Sequence, residues 1–161
     1  MMIFELENFT LKIANEVVAE MLRFKQDTND KPESGGILLG YYIEKSSFTI
    51  TDITVPSNFD KSSRFNFVRN KKSAQNAIDK YFRKSAGKKI YLGEWHSHPE
   101  DFPTPSSLDC KSIREQIRFN KLNSNIIFMI IIGNKGLSIS IVSADKIISQ
   151  KTIHYHQIIS I

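Results

Sequence analysis

The sequence predicts an α+β fold with a mostly antiparallel sheet. Short segments with strand-like composition outnumber the helical ones, and several follow one another closely enough to form hairpins. Three other segments place apolar residues at helical spacing. A chain of 161 residues lies within the usual size range of one domain, so we expect residues 1–161 to form a single domain.

The N-terminal part is predicted to contain three strands and one helix. Residues 2–6 suit a short strand, and apolar residues at helical spacing predict an amphipathic helix over 14–24. Residues 26–32 are polar and end in a proline, which predicts a loop. The apolar segment 36–43 predicts a buried strand, and the alternating segment 48–55 predicts its hairpin partner.

The middle of the chain is predicted to add a short strand and a second helix. Phe65 and Phe67 alternate with polar neighbours, which favours a strand. Asn70 is a suitable N-cap for a helix that runs to about Ser85, and Gly87 suits its end. The predicted inner face of this helix consists of Ala74, Ile78, Tyr81 and Phe82.

The C-terminal part is predicted to begin with a strand over 90–96, followed by a stiff loop over 99–105 that contains three prolines. Ser106 is a suitable N-cap for the next helix. Three further strands are expected at 126–132, 136–143 and 147–155.

Composition favours a cytoplasmic protein without membrane contact. Cys110 is the single cysteine, so no internal disulfide can form, which fits a reducing compartment. The N-terminus lacks the basic and apolar regions of a secretory signal. The longest apolar run, 126–132, is far shorter than the roughly 20 residues of a membrane span.

Positive charge is concentrated in residues 61–89, where ten Lys or Arg residues accompany Asp79 as the single acid. Such a stretch suits either a binding surface for an acidic protein or nucleic acid, or simply a solvated helix and its flanks. We favour the solvated helix. Nucleic acid is not expected as a partner because no nucleic-acid-binding signature accompanies the charge.

Three side chains near the predicted proline loop suggest a metal site. His96 and His98 are two residues apart in a strand, so their imidazoles lie on the same face. Asp109 follows on the first turn of the next helix, and the loop is short enough to return that turn to the strand end. Two histidines and one carboxylate leave a fourth zinc position for water, which is the pattern of a catalytic site. Iron or manganese would also suit these ligands.

Hydrolysis of a peptide bond would need two further groups near that site. Ser106 is placed to donate its hydroxyl to an oxyanion. A carboxylate that does not bind the metal must act as the general base. Glu94 shares the strand face of His96, whereas Glu33 lies just before the strand that begins at Gly36, and spacing alone does not choose between them.

Each of these features has an ordinary structural interpretation. A single H-x-H pair in a strand is weak evidence for a metal. Ser106 to Asp109 also matches an S-x-x-D capping box that needs no ion. The combination of both features with a proline-rich loop and a free carboxylate favours function.

These residues together resemble a known family. His96-Ser97-His98-Pro99 followed by Ser106 and Asp109 is similar to the H-x-H-P and S-x-x-D motif of JAMM metallopeptidases, also called JAB or MPN+ domains. The segment Glu33-Ser34-Gly35-Gly36-Ile37-Leu38-Leu39-Gly40 resembles the family's E-x-x-G-x-L-x-G strand entry. The resemblance extends from about Glu33 to Asp145.

The resemblance implies a cytidine-deaminase-like α+β fold and a role for each motif residue. It implies His96, His98 and Asp109 as ligands of one zinc ion, Glu33 rather than Glu94 as the general base, and Ser106 as the oxyanion donor. The deaminase signature of H-x-E with P-C-x-x-C is absent from the sequence, so base deamination is not expected.

A narrower resemblance concerns the substrate. The segments 91–100 and 67–70 resemble the standalone bacterial JAB peptidases of CBASS antiphage operons. Those enzymes reverse the ubiquitin-like conjugation of a cyclic-nucleotide synthase by an E1/E2-like partner, which implies cleavage after the C-terminal residue of the synthase. Three alternatives remain open: a peptidase that processes a sulfur-carrier or phage-tail protein, a small-molecule amidase, and a non-catalytic zinc-dependent module that binds C-terminal tails.

Overall fold

We analysed a computed structural model of the protein, which describes residues 1–158. Four helices and ten strands occur in this part of the chain. The helices are α1 (Asn15–Leu22), α2 (Lys71–Lys84), α3 (Ser107–Phe119) and α4 (Tyr155–Ile158). The strands are β1 (Met2–Leu6), β2 (Phe9–Ile13), β3 (Gly35–Glu44), β4 (Ser47–Ile53), β5 (Lys61–Ser63), β6 (Asn66–Val68), β7 (Ile90–Ser97), β8 (Ile127–Ile132), β9 (Gly136–Val142) and β10 (Ile147–His154).

Eight of the strands form one mixed sheet in the order β1-β2-β4-β3-β7-β8-β9-β10. Two neighbouring pairs, β2 with β4 and β7 with β8, are parallel, and the other pairs are antiparallel. Strands β5 and β6 form a separate hairpin. The predicted α+β class with a mostly antiparallel sheet is therefore confirmed, while the last three residues of the predicted domain, 159–161, lie outside the described residues.

Apolar side chains cover both faces of the sheet, and β8 shows this most clearly. Its six residues are all buried. Because side chains alternate across a strand, Phe128 and Ile130 join the core that also contains Trp95, whereas Ile127 and Met129 join the second core with residues of α2 and α3. This two-sided burial explains why the segment is a continuous apolar run rather than an alternating one.

Strand pairing brings distant parts of the sequence to one end of the sheet. In the antiparallel pair of β3 and β7, Gly35 lies opposite His96, so the residues just before β3 lie beside the end of β7. Helix α3 connects β7 to its parallel neighbour β8, so its first turn returns to the same end. Gly36 is needed for the close approach of the residue that follows β4, since a Cβ atom there would lie 2.0 Å from the carbonyl oxygen of Thr54.

The structure corrects several sequence predictions. Strands β2 and β5 were not predicted. Phe82 was predicted to face the core, and this prediction is wrong, because the Phe82 side chain is exposed. It lies about 80° around the helix from the buried Ala74. Tyr42 and Ile43 are also exposed, so the buried part of β3 ends before them.

Within residues 1–158, no helix is both long and apolar enough to cross a membrane.

Candidate metal centre

Three predicted ligands converge at the end of β7. The Nε2 atoms of His96 and His98 lie 3.1 Å apart. One carboxylate oxygen of Asp109 lies 3.4 Å from Nε2 of His96, and the other lies 3.5 Å from Nε2 of His98. The alternation of β7 places both rings on one face, and the first turn of α3 supplies the carboxylate, as the sequence predicted.

These separations fit one small divalent cation. Nitrogen or oxygen ligands about 2.0–2.1 Å from a tetrahedral zinc ion lie about 3.3 Å from one another. The nitrogen–nitrogen distance and the two nitrogen–oxygen distances, each to a different carboxylate oxygen of Asp109, are close to that value, so the cluster has the size of a zinc site. The donor set of two imidazoles and one carboxylate also suits zinc, and the three side chains are only 12–16% exposed. The residues present therefore fit a metal.

Glu33 places a second carboxylate beside the two histidines. An oxygen of Glu33 and a nitrogen of each histidine all lie within 4.8 Å of one another, which makes these three residues a possible metal-binding group in the described part of the chain. The Glu33 backbone N–H donates to Ser63 O at 2.8 Å, which ties the residue to β5. The site thus contains two acids, and geometry alone permits either one to complete the ligand set.

The environments of the two acids differ in their effect on protonation. Burial, together with the nearby charges of Asp109 and Glu100, raises the pKa of Glu33 to about 7 against the opposing effect of His96. Burial also acts to raise the pKa of Asp109, but hydrogen bonds and charge from His96 and Ser106 outweigh it and lower the pKa below its usual range. Asp109 is therefore the stable anion, and Glu33 is the acid poised to exchange a proton.

Ser106 and Asp109 form the capping box of α3. The Ser106 hydroxyl oxygen accepts from the Asp109 backbone N–H at 3.1 Å, and the Ser106 backbone N–H donates to an Asp109 carboxylate oxygen at 2.7 Å. The ordinary structural interpretation of this motif is thus correct, and the same geometry also fixes the Asp109 carboxylate beside the histidines. Because the Ser106 oxygen is an acceptor in this box, its hydroxyl hydrogen remains available for another acceptor.

His98 has one further polar neighbour outside the cluster. Its Nδ1 lies 3.1 Å from a carboxylate oxygen of Glu100, a contact that fixes the ring orientation. Burial and the neighbouring His96 lower the pKa of His98. The ring is therefore neutral at pH 7, which is the form that binds a metal.

Glu94, the other base candidate, is engaged elsewhere. One of its carboxylate oxygens accepts from Arg69 Nη2 at 2.5 Å and from the Tyr91 hydroxyl at 3.2 Å. The structure therefore places Glu33, rather than Glu94, among the two histidines.

A buried polar network that the sequence did not reveal supports the cluster. Gln26 is 2% exposed and donates to the carbonyl oxygens of Lys31 and Arg64. Its side-chain oxygen accepts from the hydroxyl of Ser97, which in turn accepts from the backbone N–H of Ser34. One glutamine thus holds both the residue between the histidines and the residue after Glu33, although it had no distinguishing signal in a polar predicted loop.

The cluster lies in a cleft of about 500 Å³. One wall comes from the β5–β6 hairpin and the residues that follow it, including Phe65, Val68 and Arg69. The opposite wall comes from α3, including Leu108 and Gln116. Because Phe65, Val68 and Leu108 are exposed, the cleft has apolar rims above a polar floor.

Comparison with known proteins agrees with the fold. The Prok-JAB family model, described as prokaryotic homologs of the JAB domain, matches residues 14–145. A "CD-NTase/cGAS isopeptidase" of Vibrio cholerae serotype O1 is 34% identical over 123 residues, which is 76% of each chain. A protein of the same name from Escherichia coli (strain TW11681) is 35% identical over 125 residues, 78% of this chain and 77% of the relative.

Two more distant similarities extend the comparison. A "Probable metalloprotease y4qB" of Sinorhizobium fredii is 30% identical over 107 residues, 66% of this chain and 65% of the relative. The solution structure of protein DSY2949 from Desulfitobacterium hafniense aligns with a TM-score of 0.60 and 19% identity, covering 89% of this chain and 90% of that one. This last similarity concerns the fold alone.

Fold and site together define an α+β domain with a candidate metal cluster. The chain belongs to the Prok-JAB family, the prokaryotic homologs of the JAB domain. The names of its relatives support an isopeptidase or metalloprotease role.

Proposed function

We propose that this protein is a zinc-dependent isopeptidase that cleaves the amide bond joining the C-terminus of a CD-NTase to a conjugated or fused partner. The observation that carries the proposal is the cluster of His96, His98 and Asp109 with a second, buried carboxylate beside it. A binding module needs the ligands alone, whereas hydrolysis also needs a general base, and the position of Glu33 supports that role.

The substrate class is proposed from the relatives. Two of them are named as isopeptidases of CD-NTase or cGAS, and this chain is similar to them over three quarters of its length. On this basis, an E1/E2-like enzyme in the same pathway would form the conjugate that this protein removes. Zinc is proposed as the ion because two imidazoles and one carboxylate suit it and leave one position for water.

A zinc ion in this site would supply a Lewis acid and an acidified water. Glu33 accepts a proton from the attacking water and delivers it to the leaving amine. Without a metal, burial raises the pKa of Glu33 to about 7. A dication bound beside it would stabilise the carboxylate, which is the form that accepts the proton of the water. Burial of Glu33 keeps bulk water from competing for that proton.

Ser106 is proposed to stabilise the negative charge that develops on the carbonyl oxygen. Its oxygen is held by the Asp109 backbone N–H, so the hydroxyl group cannot turn away from the cluster without breaking the helix cap. Loss of one such donor typically lowers kcat about 10²- to 10³-fold. Asp109 thus both binds the metal and fixes the oxyanion donor.

The test uses the CD-NTase from the same genome with green fluorescent protein fused to its C-terminus. Zinc-loaded wild-type protein should release intact CD-NTase, and a chelator should abolish release. Glu33→Gln should keep stoichiometric zinc and lose activity at least about 100-fold, while Glu115→Gln, an exposed acid of α3, should match the wild type. Full activity of the Glu33→Gln variant would contradict the proposed base.

A processing peptidase for a sulfur-carrier or phage-tail protein is the second candidate. It would use the same residues, so the choice depends on the substrate. Release from a sulfur-carrier or phage-tail fusion, without release from the CD-NTase fusion, would favour it. Tight binding of the tail by zinc-loaded wild-type protein with no release would favour the non-catalytic binding module.

A further inference from the structure

Arg69 is a mostly buried guanidinium group in the wall of the cleft. Its side chain is 17% exposed and forms an ion pair with Glu94 at 2.5 Å. Within residues 1–158, this contact through Nη2 is the one hydrogen bond that the side chain makes. Since a guanidinium group carries five N–H donors, four of them have no acceptor in this part of the protein.

The surroundings of Arg69 leave space on two sides. The residue lines the cleft of the candidate metal centre and also a neighbouring cavity of about 210 Å³. Its backbone is firmly held, because Asn70 donates its N–H to Asp60 and caps α2. A guanidinium group that is held in position and faces open space is suited to an acceptor supplied from outside the protein.

Glu94 orients the guanidinium group and determines which acceptor it suits. Glu94 balances the charge of Arg69, and the Tyr91 hydroxyl donates to the same carboxylate oxygen. Burial raises the pKa of Tyr91, so it remains a neutral donor. Because the positive charge is already paired, the open N–H groups suit a neutral carbonyl oxygen better than a second carboxylate.

Glu94 marks the position of Arg69 along β7 relative to the metal centre. Glu94 lies two residues before His96 on the same face, which corresponds to roughly 7 Å along the strand. An extended peptide in the cleft advances by the same distance in two residues. A carbonyl group about two residues from the scissile bond would therefore lie beside Arg69.

We infer that Arg69 forms a carbonyl-binding subsite that holds the extended tail of the substrate about two residues from the scissile bond. This inference rests on the proposed function, since it deepens the description of the same cleft. The interaction contributes to binding of the tail, and the chemical step does not depend on it. Lysine would keep the ion pair with Glu94 but lose the planar fork of donors.

The test measures binding rather than hydrolysis. Fluorescein-labelled peptides that match the C-terminal segment of the CD-NTase from the same genome are titrated with zinc-loaded Glu33→Gln protein and followed by anisotropy. A second peptide series replaces one amide at a time by a trans-alkene, which removes the carbonyl oxygen and the N–H without adding charge, and the Arg69→Lys comparison identifies the position at which the lost carbonyl oxygen matters. Arg69→Lys is introduced into the same Glu33→Gln background, and Arg83→Lys, an exposed arginine of α2, is the matched control.

We expect Arg69→Lys to weaken binding of the unmodified peptide about tenfold, and Arg83→Lys to leave it unchanged. One of the alkene peptides should bind the protein that retains Arg69 about tenfold more weakly than the unmodified peptide does. For this alkene peptide, Arg69→Lys should cause no further loss of affinity. The inference would be overturned if Arg69→Lys left the affinity for the unmodified peptide unchanged, or if no peptide bound. It would also be overturned if the effects of Arg69→Lys and of the alkene were additive at every peptide position. Failed hydrolysis by the wild type with these binding effects intact would count against the proposed function alone.

Discussion

The hydroxyl group of Ser97 donates a hydrogen bond of 3.2 Å to the side-chain oxygen of Gln26, and both side chains are buried. Ser97 lies between the two candidate zinc ligands, and Gln26 lies 71 residues earlier in the chain. The same glutamine also binds the carbonyl oxygen of Lys31, two residues before Glu33. One buried amide therefore links the histidine strand to the segment that carries the proposed base.

Replacement of Gln26 should impair both stability and turnover. Gln26→Leu leaves the Ser97 hydroxyl and two carbonyl groups without their partner, which should cost about 3 kcal/mol of unfolding free energy. Because the Glu33 segment loses an anchor, kcat on the CD-NTase fusion should fall while KM changes little. Urea unfolding and steady-state kinetics measure these effects.

The matched control is Gln75→Leu, an exposed glutamine of α2, which should change stability by no more than about 0.5 kcal/mol. A Gln26→Leu protein with wild-type kcat would show that this network does not position Glu33.

The two roles of Ser106 can be separated by one substitution. Glycine is nearly as good an N-cap as serine, so Ser106→Gly should lower stability by only a few tenths of a kcal/mol. It removes the hydroxyl donor, so kcat should fall about 100-fold or more. Thermal unfolding and kinetics on the same preparation test this, and a loss of activity that merely follows a loss of folded protein would argue against the oxyanion role.

The raised pKa of Glu33 predicts that the metal-free protein loses stability as pH rises. The folded pKa of about 7 exceeds the ordinary value of 4.5, so the folded state holds this proton more tightly than the unfolded state. The resulting stabilisation is complete below pH 4.5, declines between these values and is lost above about pH 7, with a magnitude of about 3 kcal/mol.

Unfolding in urea at several pH values, with a chelator present, measures this dependence. Glu33→Gln should remove this decline in stability between pH 4.5 and 7 and should be the more stable protein at about pH 8. If unfolding free energy depended on pH in the same way in the wild type and in Glu33→Gln, the assigned effect of burial on the pKa of Glu33 would be contradicted.

Zinc should stabilise the folded protein through the three proposed ligands. A ligand that binds only the folded state raises its stability by about 2.7 kcal/mol at a free concentration roughly 100 times its Kd. The Tm of the wild type should therefore rise on zinc addition and fall on chelation. His96→Ala should abolish the rise, whereas a substitution at His156, outside the cluster, should preserve it.

The structural features that depend on residues close together in sequence were predictable from the sequence. Asn70 and Ser106 accept from backbone N–H groups at the starts of α2 and α3, as capping preferences indicate. The continuous apolar run at 126–132 forms the buried strand β8. The spacing of His96, His98 and Asp109 also predicted that their side chains lie together, because strand alternation and a short loop are local properties.

Features that depend on distant pairing were not predictable in the same way. Strand β2 is held by β1 and β4, and the polar strand β5 is held by β6, so neither has a strong local signal. The burial of Gln26 arises from contacts with three separate segments. Likewise, spacing alone did not choose between Glu33 and Glu94. The family resemblance implied Glu33, and the ion pair of Glu94 with Arg69, 25 residues away in sequence, agrees with that choice.

The measurement that most directly tests the metal centre is anomalous diffraction at the zinc absorption edge, from crystals grown with zinc. We predict one strong peak per chain, bound by Nε2 of His96, Nε2 of His98 and a carboxylate oxygen of Asp109, with Glu33 nearby but not bound. A peak coordinated by Glu33 in place of Asp109, or no peak among these side chains after zinc soaking, would contradict this assignment.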